Sequence, residues 1–117
     1  MNMNAARPIY LDYQATTPVD TRVMDVMTPF FTEAFGNPHS TSHSYGWEAR
    51  DAVEVARVQV AEMINAAPRE IIFTSGATES NNMAIQGVGR FFDGRKRHMI
   101  APVAEHKCGL ESLKYVE

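Results

Sequence analysis

The stretch that decides how this 117-residue chain is interpreted is Glu70-Ile-Ile-Phe-Thr-Ser-Gly-Ala-Thr-Glu-Ser-Asn-Asn82. Ile71–Phe73 form a short β-branched and aromatic run, which is typical of a strand covered on both faces. Ser75 and Gly76 end that run, and a glycine adopts backbone angles that other residues avoid. A helical pattern begins at Ala77. The stretch therefore predicts a strand, a tight turn and the start of a helix.

The start of that helix is suited to bind a phosphate group. The first backbone N–H groups of a helix have no partner within it, and the helix dipole adds positive charge there. The hydroxyls of Ser75 and Thr78 add two further donors. Glycine, serine and threonine are equally ordinary in strand-to-helix connections. The residue types alone therefore leave open whether this turn binds phosphate or only joins two elements.

The composition is that of an ordinary globular chain, with 44% apolar and 21% charged residues. A net charge of −3 gives no electrostatic reason to expect nucleic acid or an anionic membrane as a partner. The one cysteine, Cys108, excludes a disulfide within the chain, which fits a reducing compartment. The first eight residues lack the apolar core that a secretory leader would have, and no apolar run approaches the roughly 20 residues that span a bilayer. We therefore expect a soluble, cytoplasmic protein.

The first half of the chain is predicted to be mainly helical. Residues 1–8 have the pattern of a loose leader, and Ile9–Tyr13 alternate as a short strand does. Asp20 is predicted to cap a helix that Pro29 ends or bends. A longer amphipathic helix is predicted from Tyr45 to Ala66.

The loop between these two helices contains His39 and His43. Their spacing of four places two ligands on one face of a helix, as some zinc sites require. No third ligand is nearby, and the loop is rich in serine and proline. A solvated loop, or one at the edge of an active site, is therefore favoured, and no metal site is predicted.

The second half repeats the order of strand, turn and helix. After a helix over about residues 77–92, Met99–Val103 are predicted to form a strand and Cys108–Val116 another helix. Right-handed crossovers between parallel strands place both turns at one edge of the sheet. The Ser75–Thr78 turn and His106 would then face one cleft.

Single residues around that second turn are ambiguous. His106 alone is equally well explained as a surface or helix-start histidine. Lys107 is interpreted as a solvated lysine, and Cys108 as a small helix residue without a nucleophilic role. The basic cluster at 95–98 is interpreted as a solvated loop.

Four segments together resemble class V, fold-type I enzymes that depend on pyridoxal 5′-phosphate (PLP), and most closely the NifS/IscS branch of cysteine desulfurases. These segments are Tyr10–Pro18, Phe35–Ser40, Phe73–Ser80 and Glu105–Lys107. The resemblance implies an α/β chain with a partial PLP-dependent transferase fold type I. It would comprise the N-terminal part of the large domain, with mainly helices plus parallel strands. Residues 1–17 would be a leader with a strand and turn, and residues 18–117 the N-terminal part of the PLP-binding large domain.

The resemblance also implies roles for individual residues. Gly76, Ala77 and Thr78 correspond to the turn that binds the PLP phosphate. His106 corresponds to the catalytic histidine that stacks on the pyridine ring and assists proton transfers. The activity implied is conversion of L-cysteine to L-alanine, with a persulfide passed to an iron–sulfur scaffold or another sulfur acceptor, by a homodimer.

Other residues of the family's active site fall beyond Glu117. These are the lysine that binds PLP, the aspartate on the pyridine nitrogen, the persulfide-forming cysteine and the arginine for the substrate carboxylate. Lys107 and Cys108 do not match them. We therefore expect the chain alone to be inactive, marginally stable and prone to self-association. Two alternatives stay open: a non-catalytic phosphate- or partner-binding module, or another class V PLP lyase or aminotransferase.

Overall fold

The computed structural model describes residues 7–96 and 98–116 and divides the chain into two compact units, Met1–Pro68 and Arg69–Glu117. Most of the predicted leader, residues 1–6, and Arg97 of the basic cluster lie outside the described residues. The elements are helix α1 (Thr21–Thr32), helix α2 (Ser44–Met63), a 3₁₀ turn (Pro68–Glu70), helix α3 (Ala77–Phe91) and helix α4 (Lys107–Leu113).

Helix α1 begins at the cap that the sequence predicted, but it continues through Pro29 and ends at Thr32. The carboxylate of Asp20 accepts a hydrogen bond from the backbone N–H of Arg22 at 2.9 Å, so Asp20 is the N-cap. Its ion pair with the Arg22 guanidinium at 2.8 Å lowers the pKa of Asp20. Pro29 lies inside the helix. Its carbonyl accepts hydrogen bonds from the N–H groups of Glu33 and Ala34, both at 2.8 Å, where the helix closes.

The loop before α2 crosses the first turn of that helix at very short range. A Cβ on Gly46 would overlap the carbonyl of Ser40, and a Cβ on Gly36 would overlap the carbonyl of Tyr45. His43 is the N-cap, because its Nδ1 accepts from the N–H of Gly46 at 3.3 Å. Two glycines and an imidazole cap thus join the loop to the helix, which gives His43 a structural role.

Helix α2 buries only part of its predicted apolar stripe. Of the residues predicted to form that stripe, Ala49 is buried but Met63 is 80% exposed, and Ala61, which was not among them, is buried as well. The helix ends at Met63, earlier than the predicted Ala66, because Asn65 adopts a left-handed φ of 56°. Asparagine tolerates this conformation better than most residues, and it stops a helix.

The prediction of strands was wrong for the described residues, since residues 7–96 and 98–116 contain no strand. The predicted strands were Ile9–Tyr13, Ile71–Phe73 and Met99–Val103. A strand forms only when a neighbouring strand pairs with its backbone and other layers cover its apolar side chains. Here Ile100 and Val103 are each 98% exposed. These segments do carry the apolar side chains of a buried strand, but the described residues provide no layer that covers them.

The second unit is organised around two helices that run side by side in the same direction. Nδ2 of Asn81 on α3 lies 3.1 Å from Sγ of Cys108 on α4, across 27 sequence positions. A Cβ on Gly89 would lie 2.9 Å from Cγ1 of Val116, and that pair has the same sequence separation. Because the sequence separation is the same for both contacting pairs, α3 and α4 run in the same direction. Parallel consecutive helices are the arrangement that right-handed crossovers produce.

Candidate functional site

The turn before α3 exposes its backbone. Gly76 is the N-cap, with φ 157° and ψ −175°, a region that is essentially restricted to glycine. A Cβ built on Gly76 meets no atom within 4 Å. The absence of a side chain therefore both permits the turn and leaves its front open to an approaching group.

Several hydrogen-bond donors stand at the start of α3. Among the described residues, no group accepts from the backbone N–H groups of Ala77 and Thr78 or from the Thr78 hydroxyl. The first helical bond instead runs from the N–H of Ser80 to the carbonyl of Gly76 at 3.1 Å. Because α3 is 15 residues long, its dipole adds partial positive charge at this end. Donors and dipole together fit a phosphate oxygen.

Ser75 differs from the expectation that its hydroxyl adds a free donor. Oε2 of Glu79 accepts from the Ser75 backbone N–H at 2.6 Å and from the Ser75 hydroxyl at 2.7 Å. The backbone hydrogen bond, followed by the hydroxyl, lowers the pKa of Glu79. Ser75 therefore fixes the turn through Glu79. The same carboxylate also offsets part of the positive potential that an anion would meet.

His106 occupies the start of α4. As the N-cap, it accepts at Nδ1 from the N–H of Cys108 at 3.2 Å. Sγ of Cys108 lies 2.9 Å from the same Nδ1. Oε1 of Glu105 accepts from the N–H of His106 at 2.7 Å, which fixes the backbone before the helix. The helix-start interpretation of His106 thus describes its position.

The structure brings the two predicted turns to the same end of the helix pair. Asn81 lies one turn into α3 from Ala77, and it contacts the residue two positions after His106. The starts of α3 and α4 are therefore neighbours, although the parallel strands from which this was expected are absent from the described residues. Sequence reasoning missed Asn81. The only signal was a polar residue near the apolar side of α3.

The second unit thus brings together two parallel helices, one starting at a glycine turn and the other at a histidine cap. The family model for aminotransferase class-V matches residues 9–117. The chain belongs to the aminotransferase class-V family.

Individual relatives sharpen this assignment. The chain is 61% identical over 114 residues to the cysteine desulfurase IscS of Rickettsia akari (strain Hartford), covering 97% of this chain and 28% of the relative. It is 59% identical over 114 residues to the cysteine desulfurase IscS of Rickettsia bellii (strain OSU 85-389), with the same coverage. A solved structure of a "NIFS-LIKE PROTEIN" has a TM-score of 0.83 and 45% identity, covering 92% of this chain and 29% of that chain.

These similarities confirm the family resemblance and the partial fold-type I prediction. The chain spans a little over a quarter of the length of the relatives it matches. Class V aminotransferases and cysteine desulfurases in general depend on PLP. Over the described ranges, none of the helices combines the length and apolar character needed to cross a bilayer.

Proposed function

We propose that this chain forms part of the cofactor site of a PLP-dependent cysteine desulfurase. The complete enzyme would convert L-cysteine to L-alanine and carry the sulfur as an enzyme-bound persulfide. It would pass that sulfur to an iron–sulfur scaffold or another acceptor protein, as a homodimer in the cytoplasm. The observation that carries the proposal is the pairing of an open helix start at Gly76–Thr78 with a second helix start capped by His106. The 61% identity to a cysteine desulfurase supports the choice of reaction.

The phosphate of PLP would be held by the first turn of α3. The N–H groups of Ala77 and Thr78 and the Thr78 hydroxyl are three donors without partners among the described residues. Gly76 presents no side chain in front of them, and a Cβ there would project into open space. The residues present therefore fit a phosphate group.

His106 would lie against the pyridine ring. His106 is an exposed residue, which leaves its side chain accessible to a flat cofactor. The hydrogen bond from the Cys108 N–H to Nδ1 ties the ring to the backbone of α4 and thereby fixes its orientation. When bound, PLP supplies an electron sink for chemistry at the substrate α-carbon.

The chain alone would not carry out the reaction. A desulfurase needs a lysine that binds PLP and a cysteine that takes up sulfur. Lys107 is an exposed residue in the first turn of α4. Sγ of Cys108 is engaged by Asn81 and His106. We therefore assign neither Lys107 as the lysine that binds PLP nor Cys108 as the cysteine that takes up sulfur.

A chimera tests the proposal. This chain replaces the matching segment of the Rickettsia akari cysteine desulfurase, and the purified chimera is assayed for bound PLP and for L-alanine released from L-cysteine. We expect both, and neither from the 117-residue chain alone. A folded chimera that lacks PLP would overturn the proposal. Phosphate binding without PLP would instead indicate a non-catalytic module.

Matched variants assign the roles. Thr78→Val should reduce PLP retention, whereas Thr28→Val, which removes an exposed hydroxyl bonded to a helix carbonyl in α1, should not. His106→Gln should lower alanine release, whereas His43→Gln removes the other imidazole cap and should leave it nearly unchanged. The same alanine assay, run on the chimera with several amino acids in place of L-cysteine, tests which one is the substrate. Alanine from donors other than L-cysteine would indicate another class V reaction.

A further inference from the structure

Three side chains form a hydrogen-bonded row across the starts of α3 and α4. Nδ2 of Asn81 is 3.1 Å from Sγ of Cys108, and Sγ is 2.9 Å from Nδ1 of His106. Asn81 and Cys108 are both half-buried, and His106 is exposed. The Asn81–Cys108–His106 row therefore leads from the helix interface to the surface that the proposed cofactor would occupy.

The direction of the hydrogen bonds follows from the backbone. The N–H of Cys108 is directed at Nδ1 of His106 at 3.2 Å, and an amide N–H only donates. A ring nitrogen that accepts a hydrogen bond carries no proton. In the neutral imidazole the proton of His106 is therefore on Nε2.

The other two members of the row reinforce this arrangement. An amide NH₂ group is a donor, so Asn81 donates to Sγ of Cys108. With Sγ accepting from Asn81, the thiol hydrogen of Cys108 is available to point at Nδ1. Each bond thus runs toward Nδ1. His43 provides a comparison, because within the part of the chain that the structure describes its Nδ1 accepts from the backbone N–H of Gly46 and from no side chain.

We propose that Asn81 and Cys108 are positioning residues that hold His106 as the Nε2–H tautomer. The ring then offers a hydrogen-bond donor, and its accepting nitrogen is turned toward the protein. This tautomer is a property of the chain itself, whereas its role toward a bound cofactor and amino acid rests on the proposed function. In that site His106 begins the reaction as a donor at Nε2. The group that first removes a proton from the substrate is then a different residue.

The tautomer is tested by long-range ¹H–¹⁵N correlation NMR on the full chain labelled with ¹⁵N-histidine, at a pH where imidazole is neutral. We expect His43 and His106 both to carry the proton on Nε2. Cys108→Ala should displace the Nδ1 resonance of His106 and leave that of His43 in place. Cys108→Ser, which retains a donor, should restore it. Protonation of His106 at Nδ1, or no displacement in Cys108→Ala, would overturn the inference.

A second measurement uses the chimera and does not depend on activity. Asn81→Asp replaces the donor with an acceptor, so the thiol of Cys108 should turn away from Nδ1. We expect the visible circular dichroism of bound PLP to change while the PLP content stays constant. An unchanged spectrum would count against a positioning role for Asn81. A chimera without PLP whose His106 is still the Nε2–H tautomer would refute the proposed function alone. An active chimera with His106 protonated at Nδ1 would refute this inference alone.

Discussion

A methyl group on Gly89 would lie 2.9 Å from Cγ1 of Val116, closer than two carbon atoms normally approach. Cε of Met99 would be 3.1 Å away on the same side. At Gly89, α3 therefore lies directly against the chain that follows α4. The absence of a side chain at Gly89 allows this close approach to Val116 and Met99.

Alanine substitutions at the two glycines of α3 should therefore have different effects. A Cβ on Gly87 meets no atom within 4 Å, so Gly87→Ala should stabilise the chain by about 0.5–1 kcal/mol through helix propensity. Gly89→Ala gains the same propensity but overpacks against Val116, at a cost of about 1–3 kcal/mol. Urea unfolding of both variants gives the difference. Equal stabilisation by the two substitutions would contradict the packing described for Gly89.

The turn before α3 should loosen in acid. The Ser75 backbone N–H and hydroxyl lower the pKa of Glu79 below its ordinary 4.5, so the folded state favours the ionised carboxylate. The stabilisation is therefore fully present above pH 4.5 and is lost as the pH falls through the lower folded-state pKa. A ¹³C titration of the Glu79 carboxyl group, followed together with the Ser75 amide signal, measures both events. Glu79→Gln should remove this pH dependence.

A partial variant separates the two hydrogen bonds. Ser75→Ala removes the hydroxyl but keeps the backbone N–H, which is the larger cause of the shift. The pKa of Glu79 should therefore rise only part of the way to its ordinary value. A complete return would mean that the backbone hydrogen bond contributes nothing.

The loop crossing at α2 should not tolerate a side chain. Gly46→Ala would push a methyl group into the carbonyl of Ser40, and a backbone atom cannot move aside as a side-chain end can. We expect a loss of at least about 1–3 kcal/mol. Hydrogen exchange should also become faster in the first turn of α2. Ser44→Ala, an exposed change in the same turn, is the control and should leave exchange nearly unchanged. Slow exchange in both variants would show that the loop can move away.

The exposed apolar residues after α3 should make the isolated chain associate. Ile100 and Val103 are each 98% exposed, and large exposed apolar groups favour association. Sedimentation velocity at increasing concentration should show species larger than a monomer. Ile100→Ser combined with Val103→Ser should reduce them, whereas Glu48→Gln, on exposed α2 surface, should not. A chain that is monomeric throughout would contradict this expectation.

The sequence predicts helices well where their ends are determined locally. Asp20 was identified as a cap because a carboxylate two residues before a backbone N–H stabilises a helix start without any tertiary contact. Gly76 was identified for a similar reason, since only glycine adopts its backbone angles. At such positions the residue type alone determines the local backbone structure, so the structure can be predicted from the sequence.

Features that depend on distant partners were not predictable. The Ile71–Phe73 strand was wrong for the described chain because pairing requires a second segment in register. The contact of Asn81 with Cys108 was missed because it depends on the register in which α3 and α4 pack, which the sequence does not give. The neighbouring starts of α3 and α4 were expected from crossovers between parallel strands, but in the described residues it is the packing of the two helices that brings them together. The cofactor roles of Thr78 and His106 stay predictions that rest on the resemblance.

Gly36 and Gly46 admit no side chain because one stretch of main chain lies directly on another. A demand for glycine at these two positions would therefore arise from chain winding and not from recognition of a substrate. In a mutational screen scored only by growth, a loss at Gly36 or Gly46 would look the same as the loss that the proposed cofactor roles predict for Thr78 and His106. A second measurement, of the amount of folded protein, separates the two pairs. Substitutions at Gly36 and Gly46 should lower that amount, whereas substitutions at Thr78 and His106 should not.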